Sequence, residues 1–223
     1  MPGYTTRNLV LNVGGQPYRL RVLSDIRQFA DPDHHSARLG ISSAQWSLFG
    51  QVWPAGRLLA QAMSEFDIAG KRILELGCGI GLASLVLQRR GADIVASDVH
   101  PLTETFLAYN AALNELPALH YRQMRWDVPL PTLGRFDLII ASDVLYEQHH
   151  AELLCGVIER HTLERAEVLI TDAGRGNSGR FTRVLGGLGF DVQEARCAMK
   201  DGEPPPRRGR LLHYRRAAVA ESS

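Results

Sequence analysis

The run Arg72-Ile-Leu-Glu-Leu-Gly-Cys-Gly-Ile-Gly-Leu-Ala83 is a short apolar strand that enters a glycine-rich turn and then a helix. A second apolar segment, Ile94-Val-Ala-Ser-Asp98, follows the helix and ends in an acid. Strand, tight turn, helix and strand in this order make a βαβ unit. Such a unit places a nucleoside-bearing ligand beyond the carboxyl ends of its parallel strands, with an acid such as Asp98 set to accept the ribose hydroxyls. Gly77, Gly79 and Gly81 let the backbone turn sharply and approach that ligand with no Cβ in the way. Glu75 bears on the ligand's charge. A dinucleotide lays pyrophosphate against the glycine turn, where a carboxylate repels it. A ligand with an ammonium and a sulfonium is favoured there instead, and S-adenosyl-L-methionine has that character and no phosphate. A strict GxGxxG would also put its third glycine at position 82, which is Leu82, so the nicotinamide-dinucleotide reading is weakened by spacing as well as by charge.

The 223 residues suffice for one substantial domain with a decorated N-terminus. A formal net charge of +1 gives no general case for steering to nucleic acid or to a membrane surface. Cys78, Cys155 and Cys197 are odd in number and lack a CxxC pair. They argue against a disulfide framework and a zinc site, and fit a reducing cytoplasm. Met1-Pro-Gly-Tyr-Thr-Thr-Arg7 lacks the apolar core of a signal peptide. No apolar run approaches the ~18 residues needed to span a bilayer, so a cytoplasmic chain is expected.

Leu9, Leu11 and Val13 alternate up to Gly14-Gly15, and Tyr18, Leu20 and Val22 alternate after it, the pattern of a β-hairpin. Residues 24–51 are polar and irregular and are expected to wrap the core or its entrance. After Val52-Trp53-Pro54 a helical pattern puts Leu58, Leu59, Ala62, Met63 and Phe66 on one side. Strands expected at 72–76, 93–97, 119–123, 136–141 and 166–171 alternate with helices at 82–90, 101–114, 149–161 and 179–188. Pro101 is expected in a first helical turn. Such alternation requires a parallel sheet with helices on both faces. Residues 190–197, a polar turn holding Pro204-Pro-Pro206-Arg207-Arg208, and residues 211–216 close the chain as an antiparallel hairpin. The expected fold is α/β: a doubly wound seven-strand sheet, mostly parallel with an antiparallel C-terminal hairpin, plus an N-terminal β-hairpin extension. Residues 1–50 form the hairpin and entrance segment, 51–218 the main domain and 219–223 a tail.

Glu75-Leu-Gly-Cys-Gly-Ile-Gly81, Asp98 and the closing hairpin together resemble the class I S-adenosylmethionine-dependent methyltransferases. Trp53-Pro54 before the core, Trp126-Asp127 after the third parallel strand and Asp143-Val-Leu-Tyr146 after the fourth narrow the resemblance. The set is similar to methyltransferase family 16, which includes many protein-lysine methyltransferases, and it covers about residues 50–216. The resemblance implies S-adenosyl-L-methionine as donor and S-adenosyl-L-homocysteine as product. It implies a cofactor site of Trp53, Glu75, Gly77, Gly79, Gly81, Asp98 with its neighbour Val99, Trp126, Asp127 and Ala141. Trp126 and Asp127 would stand beside the adenine, the indole stacking and the acid accepting from the exocyclic amine. Trp53 would stand at the cofactor or substrate mouth, and Ala141, small and at a strand end, would leave room for the cofactor above it. Asp143 and Tyr146, spaced by three, would share one side of a turn and face the donor methyl as the catalytic pair.

Each of these residues also has a plain structural use. Asp98 can cap the helix ahead of Pro101, Trp126 and Trp53 can pack under loops, and Asp143 and Tyr146 can be a cap and a packed aromatic. Cys78 lies near a helix N-terminus but has no base partner, so no nucleophile is assigned. His34-His35 and His149-His150 are adjacent pairs and lack the i, i+4 spacing of two ligands on one helix face; no metal is expected. Arg207-Arg208-Gly-Arg210 reads as a solvated loop, with an acidic partner surface as the alternative. The acceptor is read as a protein lysine, the alternative being a small amine or hydroxyl metabolite. The neutral charge and the lack of an Asn-Pro-Pro-Tyr signature at the fourth strand disfavour nucleic acid. A binding module that performs no transfer stays open.

Overall fold

Strands β3 (Arg72–Leu76) and β6 (Phe136–Ser142) are apolar along most of their length because helices cover both faces of the sheet they centre. The computed structural model describes residues 4–25, 35–38, 41, 43–147, 149–174, 176–195 and 209–218. Ahead of the sheet come β1 (Thr6–Val13), β2 (Gln16–Leu23), α1 (His35–Arg38), α2 (Ser43–Leu48) and α3 (Pro54–Glu65). The alternating part contains β3, α4 (Leu82–Arg89), β4 (Asp93–Asp98), α5 (Thr103–Leu113), β5 (His120–Gln123), β6, α6 (His150–His161) and β7 (Thr162–Asp172). It ends with α7 (Ser178–Gly187), β8 (Asp191–Ala195) and β9 (Arg210–Arg216). The seven-strand sheet has the order β5-β4-β3-β6-β7-β9-β8, parallel from β5 to β7, with β9 antiparallel to β7 and β8.

Alternate residues of the central strands serve two cores. Ile73, Leu138 and Ile140 join α3, α4, α5 and the hairpin on one face, while Leu74, Leu76 and Ile139 meet α6 and α7 on the other. On α3, Leu58, Leu59 and Met63 are fully buried, each worth about 1.5–3 kcal/mol of transfer free energy.

The hairpin β1–β2 forms a separate two-stranded sheet whose pairing runs from Thr6↔Leu23 to Val13↔Gln16. Two asparagines satisfy the free edge of β2 in place of a third strand. Asn110 Oδ1 accepts the Arg21 N–H at 2.7 Å, and Asn114 accepts from Arg19 N at 2.9 Å and donates to Arg19 O at 2.7 Å. An exposed edge is a pairing hazard, and here the side chains of a packed helix cover it.

Several expected boundaries move. β7 begins at Thr162, where 166 was expected, because α6 runs into it without a loop; the β6–β7 register is irregular between Phe136 and Leu138. Pro101 lies in a turn closed by Thr103 N donating to His100 O at 3.1 Å, so α5 starts after it. Residues 24–51 carry α1 and α2 where irregular chain was expected, and Trp46 and Phe49 from this segment are buried. Cys197, the polar turn at 204–208 and the tail at 219–223 lie outside the described residues. Among the described residues no helix is long and apolar enough to cross a membrane.

Candidate active site

From β3 the chain moves outward to β4 and β5, then returns to β6 on the other side of β3. The crevice at such a switch point, beyond the carboxyl ends of the strands, is where open α/β sheets bind ligands. A pocket of about 350 Å³ lies there, within the size range of small-molecule sites. Gly77 and Gly79 line it from the turn after β3, Asp98, Val99 and His100 from the end of β4, and Met124 to Asp127 from beyond β5. Ser142, Asp143, Val144 and Tyr146 line it from the exit of β6, and Leu48 to Gln51 with Trp53 from the segment before α3. No residue of the β1–β2 hairpin is among them. Glu75, Gly81 and Ala141 stand behind the lining residues.

Asp98 terminates β4 with both carboxylate oxygens aimed. Oδ2 accepts the Gly79 N–H and Oδ1 the His100 N–H, each at 2.8 Å. Burial raises its carboxyl above the ordinary range, and the amides of His100, Gly79 and Val99 oppose that rise. The amides fix the orientation of the carboxylate, which lines the pocket. Behind the turn, Glu75 is buried and accepts the Ser84 hydroxyl. Desolvation pushes its carboxyl up to about 7, with the Ser84 hydrogen bonds acting against it. Burial, then Asp98 and Glu75, raise the Cys78 thiol far above its usual value, the reverse of what a nucleophile needs.

Gly79 has φ +56 and open space where a Cβ would stand, whereas a Cβ on Gly81 (φ +82) would lie 2.0 Å from Leu107 Cδ2. The first glycine therefore leaves room in the pocket, and the second lets α5 pack close. Ala141 is buried between Leu76 of β3 and Ile170 of β7, and Ser142 is the strand-end residue that reaches the pocket.

Asp143 has φ 51, a left-handed conformation uncommon outside glycine. Its N–H donates to Thr171 O at 2.8 Å, His150 Nδ1 bonds Val144 O at 2.9 Å, and Asn177 Nδ2 donates to Leu145 O at 2.8 Å. These bonds hold 143–146 as an irregular segment where a turn or nascent helix was expected, and both Asp143 and Tyr146 reach the same pocket. Trp53 donates its indole N–H to Leu48 O at 2.9 Å, and Thr171 Oγ1 donates to Ala55 O at 2.7 Å, tying the start of α3 to the end of β7.

Trp126 lies across the glycine turn, 3.6 Å from where a Cβ on Gly77 would be. Asp127 is exposed, and Arg125 holds both its carboxylate oxygens, at 3.0 and 2.6 Å. That ion pair lowers the Asp127 carboxyl and competes with the adenine role expected for it.

Two pocket histidines had no functional reading in the sequence. His100 stacks on Phe49 with ring centroids 3.9 Å apart at 6°, and burial drives its pKa down to about 3, so it is neutral. His150, expected in a solvated loop or helix start, is buried and meets Tyr146 and Trp126 edge-on at 4.6 and 5.2 Å. Their positions two residues after Asp98 and four after Tyr146 were the available signals. Neither has a spacing rule that separates a pocket residue from a surface one. Arg210 pairs with the buried Asp172 at 3.0 Å, while Arg207, Arg208 and His34 lie outside the described residues.

A family profile described as lysine methyltransferase matches residues 35–182. The chain is 29% identical over 134 residues to the electron transfer flavoprotein beta subunit lysine methyltransferase of Xenopus laevis, covering 58% of this chain and 52% of that protein. It is 29% identical over 171 residues to the protein N-lysine methyltransferase METTL21A of Danio rerio, covering 72% of this chain and 77% of that one. The chain thus spans about half the length of the first relative and more of the second. Among solved structures, the 16S rRNA N2 G1207 methyltransferase of T. thermophilus, in complex with AdoMet and guanosine, superposes with a TM-score of 0.64 at 19% identity. That match covers 97% of this chain and 52% of the other. Magnesium protoporphyrin IX methyltransferase from Synechocystis gives 0.55 at 19% identity, over 72% of this chain and 76% of the other, a likeness of fold.

Proposed function

The chain belongs to the lysine methyltransferase family, and from that premise we propose that it moves a methyl group from S-adenosyl-L-methionine to a lysine side chain of another protein. The observation that carries this reading is the meeting of Asp98, aimed by two backbone amides, and Asp143, fixed at the exit of β6, on one switch-point pocket. The residues present fit the donor. Asp98 would hold the ribose hydroxyls, and Gly77 and Gly79 would let the backbone approach. Trp126 and the stacked Phe49 and His100 offer aromatic surface for the adenine. Glu75 behind the turn favours a cationic tail over a phosphate.

When bound, S-adenosyl-L-methionine supplies a methyl carbon on a sulfonium, a leaving group that needs no further activation. The chain's own task is to align a lone pair about 3–3.5 Å from that carbon and to exclude water. A lysine must arrive neutral, which from a reference pKa of about 10.4 costs roughly 4.6 kcal/mol at pH 7. Desolvation in the pocket reduces that cost. Asp143 orients the incoming amine by accepting a hydrogen bond from it, and Tyr146 walls the channel.

Incubation with methyl-labelled donor and cell lysate, followed by separation of protein from small molecules, tests the reading. Label on a protein band, absent with the Asp143→Asn variant, is the expected result. Label confined to the low-mass fraction would overturn it in favour of a small amine or hydroxyl acceptor.

A further inference from the structure

Glu147, His149 and His150 follow Tyr146 at the end of the pocket that Asp143 and Tyr146 line. Among the described residues they form the group of three metal-ligating side chains whose donor atoms all lie within 4.8 Å of one another. His149 Nε2 is 3.4 Å from Glu147 Oε2, and His150 Nε2 is 3.7 Å from the same oxygen. Ligand atoms around a tetrahedral zinc, with bonds of ~2.0–2.1 Å, stand about 3.3 Å apart. Two sides of the triangle are therefore close to the required spacing, and the side chain of His149, 63% exposed, can swing to close the third.

The second observation is the state of His150. Its Nδ1 lies 2.9 Å from the carbonyl of Val144, and a carbonyl only accepts, so Nδ1 carries the hydrogen. The side chain is 1% exposed, and with Nδ1 held by the backbone its Nε2 is turned toward the Glu147 carboxylate, 3.7 Å away. A backbone carbonyl holding the far ring nitrogen is the arrangement that orients metal-binding imidazoles. Two imidazoles and one carboxylate select a borderline-soft cation such as zinc over magnesium.

We propose that Glu147, His149 and His150 form a site for a zinc-class divalent cation, and that its occupation blocks methyl transfer. His149 and His150 line the pocket, so the cation stands beside the Tyr146 wall and occupies space the incoming lysine would need. Coordination displaces water from the ion. The blocking effect rests on the proposed function; the binding site does not.

The test is calorimetric titration of the chelator-treated full chain with zinc chloride, with magnesium chloride as control. One zinc per chain with micromolar affinity is expected, weakened at least tenfold in both His149→Ala and Glu147→Gln, and no magnesium binding. No zinc binding, or equal affinity in wild type and both variants, would overturn the site. Methyl transfer is then measured against buffered free zinc. Wild-type transfer is expected to fall with a midpoint at the calorimetric Kd and to recover with EDTA, while His149→Ala, scaled to its own zinc-free rate, shifts that midpoint at least tenfold. Full transfer by the zinc-saturated wild type would overturn the blocking effect. The calorimetry needs no methyl transfer, so zinc binding decides the site even if the proposed function fails.

Discussion

The N–H of Asp143 donates to the carbonyl of Thr171 at 2.8 Å, continuing the β6–β7 pairing one residue beyond Ser142↔Thr171. The acid at the centre of the proposed chemistry is thus placed by the sheet. Its left-handed backbone, φ 51, turns the chain out of β6 at the same residue. A functional residue held in a sparsely populated conformation needs surroundings that determine it, and the bonds to Thr171, Val144 and Leu145 provide them.

Asp143→Asn should separate catalysis from binding. Asparagine tolerates the left-handed conformation, so the segment keeps its shape and S-adenosyl-L-homocysteine affinity stays within about threefold by calorimetry. Single-turnover transfer falls by about 10²-fold or more, the scale expected for loss of a positioned polar group at the reacting centre. Equal losses in affinity and rate would count against the assigned role.

The glycines of the turn should respond in opposite ways. Gly81→Ala drives a Cβ to 2.0 Å from Leu107 at φ +82, and a loss of about 2–4 kcal/mol of stability is expected. Gly79→Ala meets nothing within 4 Å, so the strain at its positive φ, about 1 kcal/mol, is its main stability effect. Its methyl projects into ligand space and weakens donor binding at least tenfold. Urea denaturation and calorimetry on both variants check the contrast.

Glu75→Gln should change the pH dependence of stability. Burial raises the folded carboxyl from 4.5 to about 7, so the folded state binds this proton more tightly than the unfolded chain. The group's contribution is fully present below about pH 4.5 and is lost as pH rises through about 7. Across that window the loss reaches about 3 kcal/mol, at about 1.36 kcal/mol per unit. The glutamine variant, still able to accept from Ser84, therefore gains on wild type between pH 5 and pH 8 in urea denaturation of the ligand-free protein. A pH-independent difference would contradict the buried-carboxylate description.

Asn114→Ala should loosen the hairpin and spare the pocket. Its amide serves both Arg19 N and Arg19 O, and leaving them without it should cost about 1–3 kcal/mol. Donor affinity is expected to stay within twofold, because no hairpin residue lines the pocket.

The alternating core was legible because period and punctuation agree there: Arg72–Leu76 is bounded by Gly77, and apolar residues dominate β3 and β6. Asp98 was legible as the acid ending one such strand and Asp143 as the acid directly after another. The segment before α3 was not, because Trp46 and Phe49 sit in polar sequence with no period and meet His100 and Phe106, distant in sequence. His150 was missed for a related reason. It stands beside an exposed histidine, and only the fold of 143–146 brings the Val144 carbonyl to its ring. Asp127 shows the converse, since the motif suggests a free acid and Arg125, two residues away, occupies it.

The most direct measurement is the chemical position of the transferred methyl. A protein labelled by the wild-type chain is hydrolysed to amino acids and resolved against methyl-lysine standards, with the intact protein mapped by peptide mass spectrometry. The account predicts the label on lysine Nε, at one or a few sites, and absent with Asp143→Asn. Label recovered on another side chain, or lost to mild base as a carboxyl ester, would contradict it.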